Sequence, residues 1–103
     1  MLQLTVKEAK TLAEKTKGLL GTSKPYPLSF QTRWGIHTFG MKYPIDIVIL
    51  DKQNTVVALK KNVKPNRIFL WNPRYKQVVE LPAGTIQKQK ITRGLTLTLE
   101  KVS

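Results

Sequence analysis

Short apolar segments with the character of β-strands make up most of this chain. Residues 2–6 alternate between apolar and polar side chains with the period of a β-strand, and from residue 35 onward the apolar segments are short and rich in β-branched and aromatic side chains. Turn-forming stretches such as DKQN, NPR and PAG separate these segments. The pattern predicts six or seven strands, with the sequences LQLTV, GIHTFGM, DIVIL, TVVALK, RIFLW, KQVVEL and LTLTLE.

One segment near the start of the chain has helical spacing instead. Thr5 begins the sequence TVKE, a capping-box pattern in which the Thr5 hydroxyl accepts from the backbone N–H of Glu8 and the Glu8 carboxylate reaches back. Apolar residues follow at intervals of three and four from Val6 to Ala13, and Gly18 offers a left-handed end. The pattern predicts a helix that starts at Thr5 and ends near Gly18.

Together these elements predict one α+β, mostly β domain that spans residues 1–103. We expect a compact antiparallel sheet, or a partly closed barrel, with the N-terminal helix packed on it. The length agrees with this prediction, because 103 residues allow one hydrophobic core and not two. Apolar residues make up 41% of the chain, which is near the norm for a globular protein.

The net charge is the most unusual bulk property of the chain. The chain contains eighteen Lys and Arg and six Asp and Glu, which gives a formal net charge of +12. Such a surface attracts polyanions, of which nucleic acid and anionic membranes are the obvious candidates, unless the charge serves only solubility. Aromatic residues lie close to the basic ones at Phe69, Trp71 and Tyr75, as in platforms for single-stranded nucleic acid. The predicted basic surface comprises Lys60, Lys61, Lys64, Arg67, Arg74, Lys76, Lys88, Lys90 and Arg93.

The composition also removes several classes of function. The chain has no cysteine, which excludes disulfides, thiolate metal sites and cysteine nucleophiles. Its longest apolar run, residues 47–50, is far shorter than the roughly 20 residues of a membrane span, and the first ten residues lack the core of a secretory signal. We therefore expect a cytoplasmic protein without a membrane span. We predict no cofactor and no metal, since a metal site would need His37 and two carboxylates to converge from separate strands.

The segment HTFGMKYPID, residues 37–46, is the first candidate for a functional site. It contains the only histidine of the chain, His37, and it ends at Asp46, which begins an apolar strand. Gly40 and Pro44 indicate a strand that ends, turns sharply and resumes. A partly desolvated Asp46 either orients His37 for general acid–base chemistry or accepts backbone N–H groups in a structural role. The sequence leaves both interpretations open.

The segment VVELPAG, residues 78–84, is the second candidate. Pro82 can end a strand and Gly84 allows a tight turn, so structure explains most of the motif. The motif could also place Glu80 near the HTFGM turn, or beside Lys15 in a buried ion pair. We predict that the two candidates share a ligand pocket, formed by His37, Thr38, Phe39, Met41, Asp46, Glu80, Pro82 and Gly84.

Three motifs in order along the chain resemble the uncharacterised family called domain of unknown function 192. They are AEKTKGLLG at 13–21, IHTFGMKYPID at 36–46 and VVELPAG at 78–84, and the similarity covers about residues 9–97. The resemblance implies a small β-rich domain with one helix, found in bacteria and archaea, and it brings no established activity. Two positions depart from the family pattern: Lys15 replaces the usual arginine, and Arg93-Gly94-Leu95 replaces the usual Gly-Asp pair.

Three hypotheses for function follow. The leading one is a non-catalytic binding module for an anionic ligand, with nucleic acid as the first macromolecular candidate. The second is a small hydrolase or isomerase in which His37 and Asp46 form an acid–base pair. The third is a protein–protein interaction module that pairs through an exposed sheet edge.

Overall fold

The structure is a computed structural model, and it describes residues 2–9, 25–33 and 35–102. Within these ranges the chain forms eight strands and one short helix. They are β1 (Leu2–Glu8), β2 (Leu28–Gln31), β3 (Ile36–His37), β4 (Ile45–Leu50), β5 (Val56–Val63), β6 (Ile68–Phe69), β7 (Gln77–Pro82), α1 (Thr85–Lys88) and β8 (Leu97–Val102).

Six of these strands form one mixed sheet in the order β5-β4-β7-β2-β1-β8, and β3 pairs with β6 in a separate two-stranded ribbon. The sheet is antiparallel from β5 to β2, but β1 runs parallel to both β2 and β8. The prediction of an antiparallel sheet or partly closed barrel is therefore wrong. Parallel pairing is possible because the connection from β1 to β2 is long enough for a crossover. The segments that lead into the edge strands β5 and β8 meet at an isolated bridge between Thr55 and Thr96, beside backbone hydrogen bonds such as the one from the N–H of Leu97 to the carbonyl of Asn54 at 2.9 Å.

The predicted start of the N-terminal helix is also wrong. Residues 5–8 belong to β1, in which Leu4 and Val6 are buried and alternate with exposed residues. β1 pairs with β8 along nearly its whole length, and this backbone ladder outweighs the local capping pattern. The rest of the predicted helix, residues 10–18, lies outside the described residues. The helix within the described ranges, α1, follows β7 instead. No helix in these ranges is long and apolar enough to cross a membrane.

Apolar side chains cover both faces of the sheet, as the inner strand β4 shows. All six residues of β4 are buried, as is typical of a strand covered on both faces. Val48 and Leu50 point to one face, which we call the α1 face because α1 packs there through Ile86. Ile47 and Ile49 point to the other face, which we call the ribbon face because the β3–β6 ribbon packs on it.

The ribbon packs against the sheet through apolar side chains that point inward, among them those of Ile36 and Phe69. Its first strand follows Gly35, which has a φ of 113°. A Cβ atom at this position would lie 2.5 Å from Cδ2 of Leu70 and 2.8 Å from the carbonyl oxygen of Phe69. Both distances are shorter than van der Waals contact, so the two strands of the ribbon can approach each other only because Gly35 lacks a side chain.

Replacement of Gly35 by alanine is expected to destabilise the fold more than replacement of Gly94 does. Both glycines have positive φ values, but a Cβ at Gly94 would meet no atom within 4 Å. We expect Gly94→Ala to lower the free energy of unfolding by about 1 to 2 kcal/mol through backbone strain, and Gly35→Ala by about 1 to 3 kcal/mol more through the clash. Urea unfolding of both variants measures the difference. Equal losses would show that the ribbon is not tightly packed at Gly35.

Candidate functional site

Asp46 is a buried carboxylate on β4 that accepts hydrogen bonds from two turns distant in sequence. It lies on β4, it is 1% exposed, and its side chain is on the α1 face. Its Oδ1 accepts a hydrogen bond from the backbone N–H of Asn62 at 2.8 Å, and its Oδ2 accepts one from that of Ile86 at 2.8 Å. Both carboxylate oxygens of Asp46 are therefore engaged by backbone donors.

The two donors belong to places where regular backbone pairing stops. Asn62 has a φ of 52° and lies where the register between β4 and β5 shifts, so its N–H has no ladder partner at this bulge. Ile86 is in the first turn of α1, whose N-cap residue Gly84 makes no side-chain hydrogen bond. The Asp46 carboxylate thus replaces the cap that the local sequence of α1 does not provide.

Glu80 is the second buried carboxyl group, and it lies on the opposite face of the sheet. Its register partners are Ile47 of β4 and Leu28 of β2, both of which belong to the ribbon-face core. Glu80 is 5% exposed, and its Oε1 has no hydrogen-bond partner among the described residues. Burial raises the pKa of Glu80 from 4.5 to about 7. Glu80 is therefore a carboxyl group that takes up a proton near neutral pH.

His37 lies on the exposed side of the ribbon, away from both carboxylates. Its Nδ1 accepts a hydrogen bond from the backbone N–H of Phe39 at 3.2 Å, and its ring stacks on that of Phe39 with 5.2 Å between the ring centroids. The ribbon covers the ribbon face, whereas the side chain of Asp46 points to the α1 face. The sheet therefore separates His37 from Asp46.

The remaining residues of the predicted pocket hold turns in place. The hydroxyl of buried Thr38 donates to the carbonyl of Lys64 at 2.7 Å and accepts from the backbone N–H of Arg67 at 2.8 Å, which fixes the connection between β5 and β6. Met41 is buried in the ribbon-face core. The carbonyl of Pro82 accepts from the Thr85 hydroxyl at 2.6 Å at the start of α1. The eight predicted residues are thus distributed over the two faces of the sheet and the outer side of the ribbon.

A basic cleft of about 400 Å³ lies at the opposite end of β7 from α1. Four cationic side chains line it: Arg33, Lys52, Arg74 and Lys76. The other lining residues are Gln31, Leu50, Asp51, Gln53, Tyr75 and Gln77. Because four positive charges surround one carboxylate, the cleft has a net positive charge and a size suited to a small ligand or part of a larger one.

Hydrogen bonds hold the connection between β6 and β7 at the rim of the basic cleft. The guanidinium of Arg33 donates to the carbonyl of Pro73 at 3.1 Å, and the backbone N–H of Thr32 donates to the carbonyl of Lys76 at 2.8 Å. On the inner side, the indole N–H of Trp71 donates to the carbonyl of Tyr75 at 2.7 Å. Two of the four cations of the cleft, Arg74 and Lys76, are therefore carried by a fixed loop.

Asp51, the one acidic residue in the cleft, is engaged in its own turn. Its Oδ1 accepts from the backbone N–H groups of Gln53 and Thr55, both at 2.9 Å. This arrangement is an Asx-type turn between β4 and β5, and it orients one carboxylate oxygen toward the backbone. The turn also places Lys52 at the cleft.

Arg74 and Lys76 belong to the basic surface predicted from the sequence, whereas Arg33 and Lys52 do not. One signal was available, because residues 52–79 contain seven Lys and Arg and no Asp or Glu, and Lys52 begins this stretch. Arg33 had no such local signal. The other predicted basic residues lie elsewhere, with Lys60 and Lys61 on β5, Lys64 and Arg67 beside the ribbon, and Lys88, Lys90 and Arg93 in or after α1. No group of three His, Asp or Glu in the described ranges could hold a metal ion.

Asp46→Asn is expected to lower the free energy of unfolding by about 2 to 4 kcal/mol. The asparagine amide keeps one oxygen acceptor, but its NH₂ group faces the second backbone N–H. One buried backbone donor is then left unpaired, and both charge-assisted hydrogen bonds of the carboxylate are lost. Asp51→Asn is the matched control, since the amide oxygen can still accept in the turn and the expected loss is below about 1 kcal/mol. Urea unfolding of the two variants checks this difference, and similar losses would contradict a capping role for Asp46.

Glu80→Gln is expected to change how stability depends on pH. Because the pKa of Glu80 is raised in the folded state to about 7, its protonation stabilises the fold fully below about pH 4.5. This contribution is lost as the pH rises through about 7, at a cost of about 3 kcal/mol. The neutral glutamine does not undergo this loss, so the variant gains stability relative to the parent chain between about pH 5 and 8. Urea unfolding across this range tests the sign.

Glu100→Gln provides the control for that experiment, because Glu100 is exposed on β8 and its removal alters charge without altering the core. Its unfolding curves are expected to follow those of the parent chain at each pH. Curves for Glu80→Gln that also run parallel to the parent would show that Glu80 titrates normally.

Comparison with known proteins identifies the family but no activity. The model of the family described as "Uncharacterized ACR", domain of unknown function 192, matches residues 1–99. A UPF0127 protein from Pyrococcus abyssi is 36% identical over 69 residues, which are 65% of this chain and 58% of that protein. The matched region therefore spans less than two thirds of that relative.

Two solved structures share the fold. One is a protein of unknown function from Novosphingobium aromaticivorans, with a TM-score of 0.76, 19% identity and coverage of 86% of this chain and 70% of that one. The other, from Sinorhizobium meliloti, is named as a candidate transcription regulator; its TM-score is 0.73 at 19% identity, with coverage of 86% and 76%. The resemblance inferred from three motifs is confirmed by the family match, and the chain belongs to the domain of unknown function 192 family.

Proposed function

We propose that this chain is a non-catalytic binding module for an anionic ligand, and that the ligand binds in the basic cleft. The observation that carries the proposal is the lining of the cleft, in which Arg33, Lys52, Arg74 and Lys76 surround about 400 Å³. These cations come from three connections that are far apart in sequence. A fold that brings them together at one cavity incurs charge repulsion, which a bound anion would relieve.

A single-stranded nucleic acid is the macromolecular ligand that best suits this lining. Lysine and arginine side chains can neutralise consecutive phosphates, and the half-buried ring of Tyr75 lies within the same cleft. Glutamine side chains at Gln31, Gln53 and Gln77 add donors and acceptors for sugar and base edges. The absence of acidic residues from positions 52 to 79 keeps the surrounding surface attractive to a polyanion.

The arrangement of His37 and Asp46 favours this proposal over an acid–base enzyme that uses the two residues as a pair. Both oxygens of Asp46 accept backbone N–H groups, so neither is free to orient an imidazole. His37 lies on the exposed side of the ribbon, with its Nδ1 engaged by the backbone N–H of Phe39. A pair that acts together would need to be within hydrogen-bond reach.

The test is binding of a fluorescently labelled single-stranded oligothymidylate, followed by anisotropy at low and at moderate salt. The parent chain is expected to bind at low salt and to lose affinity with a log–log slope of about −0.7 for each phosphate neutralised. The variant Arg74→Glu/Lys76→Glu is expected to bind at least about tenfold more weakly and with a shallower slope, because two cleft cations are reversed.

Lys88→Glu/Lys90→Glu is the matched control, since it changes the net charge equally but in and directly after α1, at the opposite end of β7 from the cleft. We expect this control to lose no more than about threefold through its general effect on the field of the protein. Equal losses in the two variants would show that the charge of the whole surface, and not the cleft, governs binding. No binding by the parent chain at low salt would remove nucleic acid as the ligand.

A further inference from the structure

The outer side of the ribbon is the most apolar exposed surface among the described residues. Four large apolar side chains in these ranges are exposed, and three of them belong to or adjoin the ribbon: Phe39 (47%), Ile68 (64%) and Leu70 (67%). The fourth, Val102, lies at the end of β8. Exposed apolar side chains that occur singly need no explanation, but three on so small an element do.

These side chains form one continuous patch, which we call the outer ribbon face. Ile68 is the register partner of His37, and the His37 ring stacks on Phe39. Leu70 lies two residues beyond Ile68 on the same side of the extended chain, where its Cδ2 atom fills the space above Gly35. The ribbon is thus apolar on both sides, and only its inner side is covered by the sheet.

Cationic side chains border the outer ribbon face. Exposed Lys64 and Arg67 lie in the connection that Thr38 fixes to the ribbon, and exposed Lys42 lies in the segment that follows β3. Neither the stretch 25–45 nor the stretch 52–79 contains an acidic residue. An occupant of this face must therefore accept apolar side chains at its centre and carry negative charge around them.

We propose that the outer ribbon face is a docking surface for an anionic lipid bilayer, into whose interface Ile68 and Leu70 insert. The headgroup layer of such a bilayer provides both features, because it accepts apolar side chains at shallow depth and attracts lysine and arginine to its phosphates. The apolar side chains project from a narrow two-stranded element, and none of them lines the basic cleft. A fluid interface accommodates such projecting side chains without a shaped groove, which a peptide partner would require.

The structure also holds the backbone of the ribbon in place before any contact with a bilayer. Phe39 stacks on His37, and the backbone of the ribbon is held by the inner packing of Phe69 and Trp71. Little backbone freedom would therefore be lost when the ribbon enters the interface, and a preformed surface binds more tightly for the same buried area.

The experiment is sedimentation of the whole chain with two kinds of vesicle, one of equal parts phosphatidylserine and phosphatidylcholine and one of phosphatidylcholine alone. The parent chain is expected to associate with the anionic vesicles and at least about tenfold more weakly with the neutral ones. The variant Ile68→Ser/Leu70→Ser keeps every charge, and its association with the anionic vesicles is expected to fall at least about tenfold.

Two further variants make the result specific. Val102→Ser removes an exposed apolar side chain that is remote from the ribbon, and its association is expected to equal that of the parent chain. Lys64→Gln/Arg67→Gln keeps the apolar patch, and its preference for anionic over neutral vesicles is expected to fall by at least about threefold. Thermal unfolding of each variant confirms that the exposed substitutions leave the fold intact.

The proposal is overturned if the parent chain does not associate with anionic vesicles, or if Ile68→Ser/Leu70→Ser associates as strongly as the parent. A patch that instead mediates self-association would show as a concentration-dependent mass that the same variant abolishes. Oligothymidylate binding by this variant separates the two proposals, because its basic cleft is unchanged. Retained oligothymidylate binding with lost vesicle association supports the ribbon surface alone.

Discussion

The carboxylate of Asp46 accepts one backbone N–H from the β5 bulge and one from the first turn of α1, so it links three segments that are remote in sequence. The bulge at Asn62 sets the direction in which the chain leaves β5 toward the ribbon, and the turn at Ile86 sets how α1 covers the sheet. Backbone donors buried in these irregular turns need an acceptor, and a carboxylate in a low-dielectric interior is a strong one. The placement of both the ribbon and α1 therefore depends on this one side chain.

Glu80, on the neighbouring strand β7, is a buried carboxyl group that lacks the full set of hydrogen bonds that Asp46 has. It lies among apolar residues of the ribbon face with an unpartnered oxygen, and burial raises the pKa of its carboxyl group to about 7. Such a group weakens the fold whenever it ionises, whereas an apolar side chain of similar size at this position would not. Buried groups that oppose stability are typical of positions that serve a further purpose, and Glu80 is the position of this kind that the described residues reveal.

The sequence predicted local features well and long-range ones poorly. The apolar run of β4 and the valine strand β7 were predicted as strands because burial on both faces leaves a direct pattern in the residues. The parallel pairing of β1 with β8 leaves no such pattern, and the capping-box signal at Thr5 pointed to a helix instead. The same limit applies to function. Asp46 was predicted from the sequence to be desolvated, but the backbone N–H groups that bind it are 16 and 40 positions away in the sequence. Arg33 likewise lies at the basic cleft only because of the fold.

The pairing of β1 with β8 also bears on how the protein is made. β1 leaves the ribosome about 90 residues before β8, yet Leu2 pairs with Leu97 and Lys7 with Val102. One side of β1 therefore stays without its partner until β8 has been synthesised, and contacts of such high sequence separation form slowly. During that interval the nascent chain exposes an incomplete sheet edge, which is a site for aggregation or chaperone binding. The sheet thus gains its last strand only when β8 is translated.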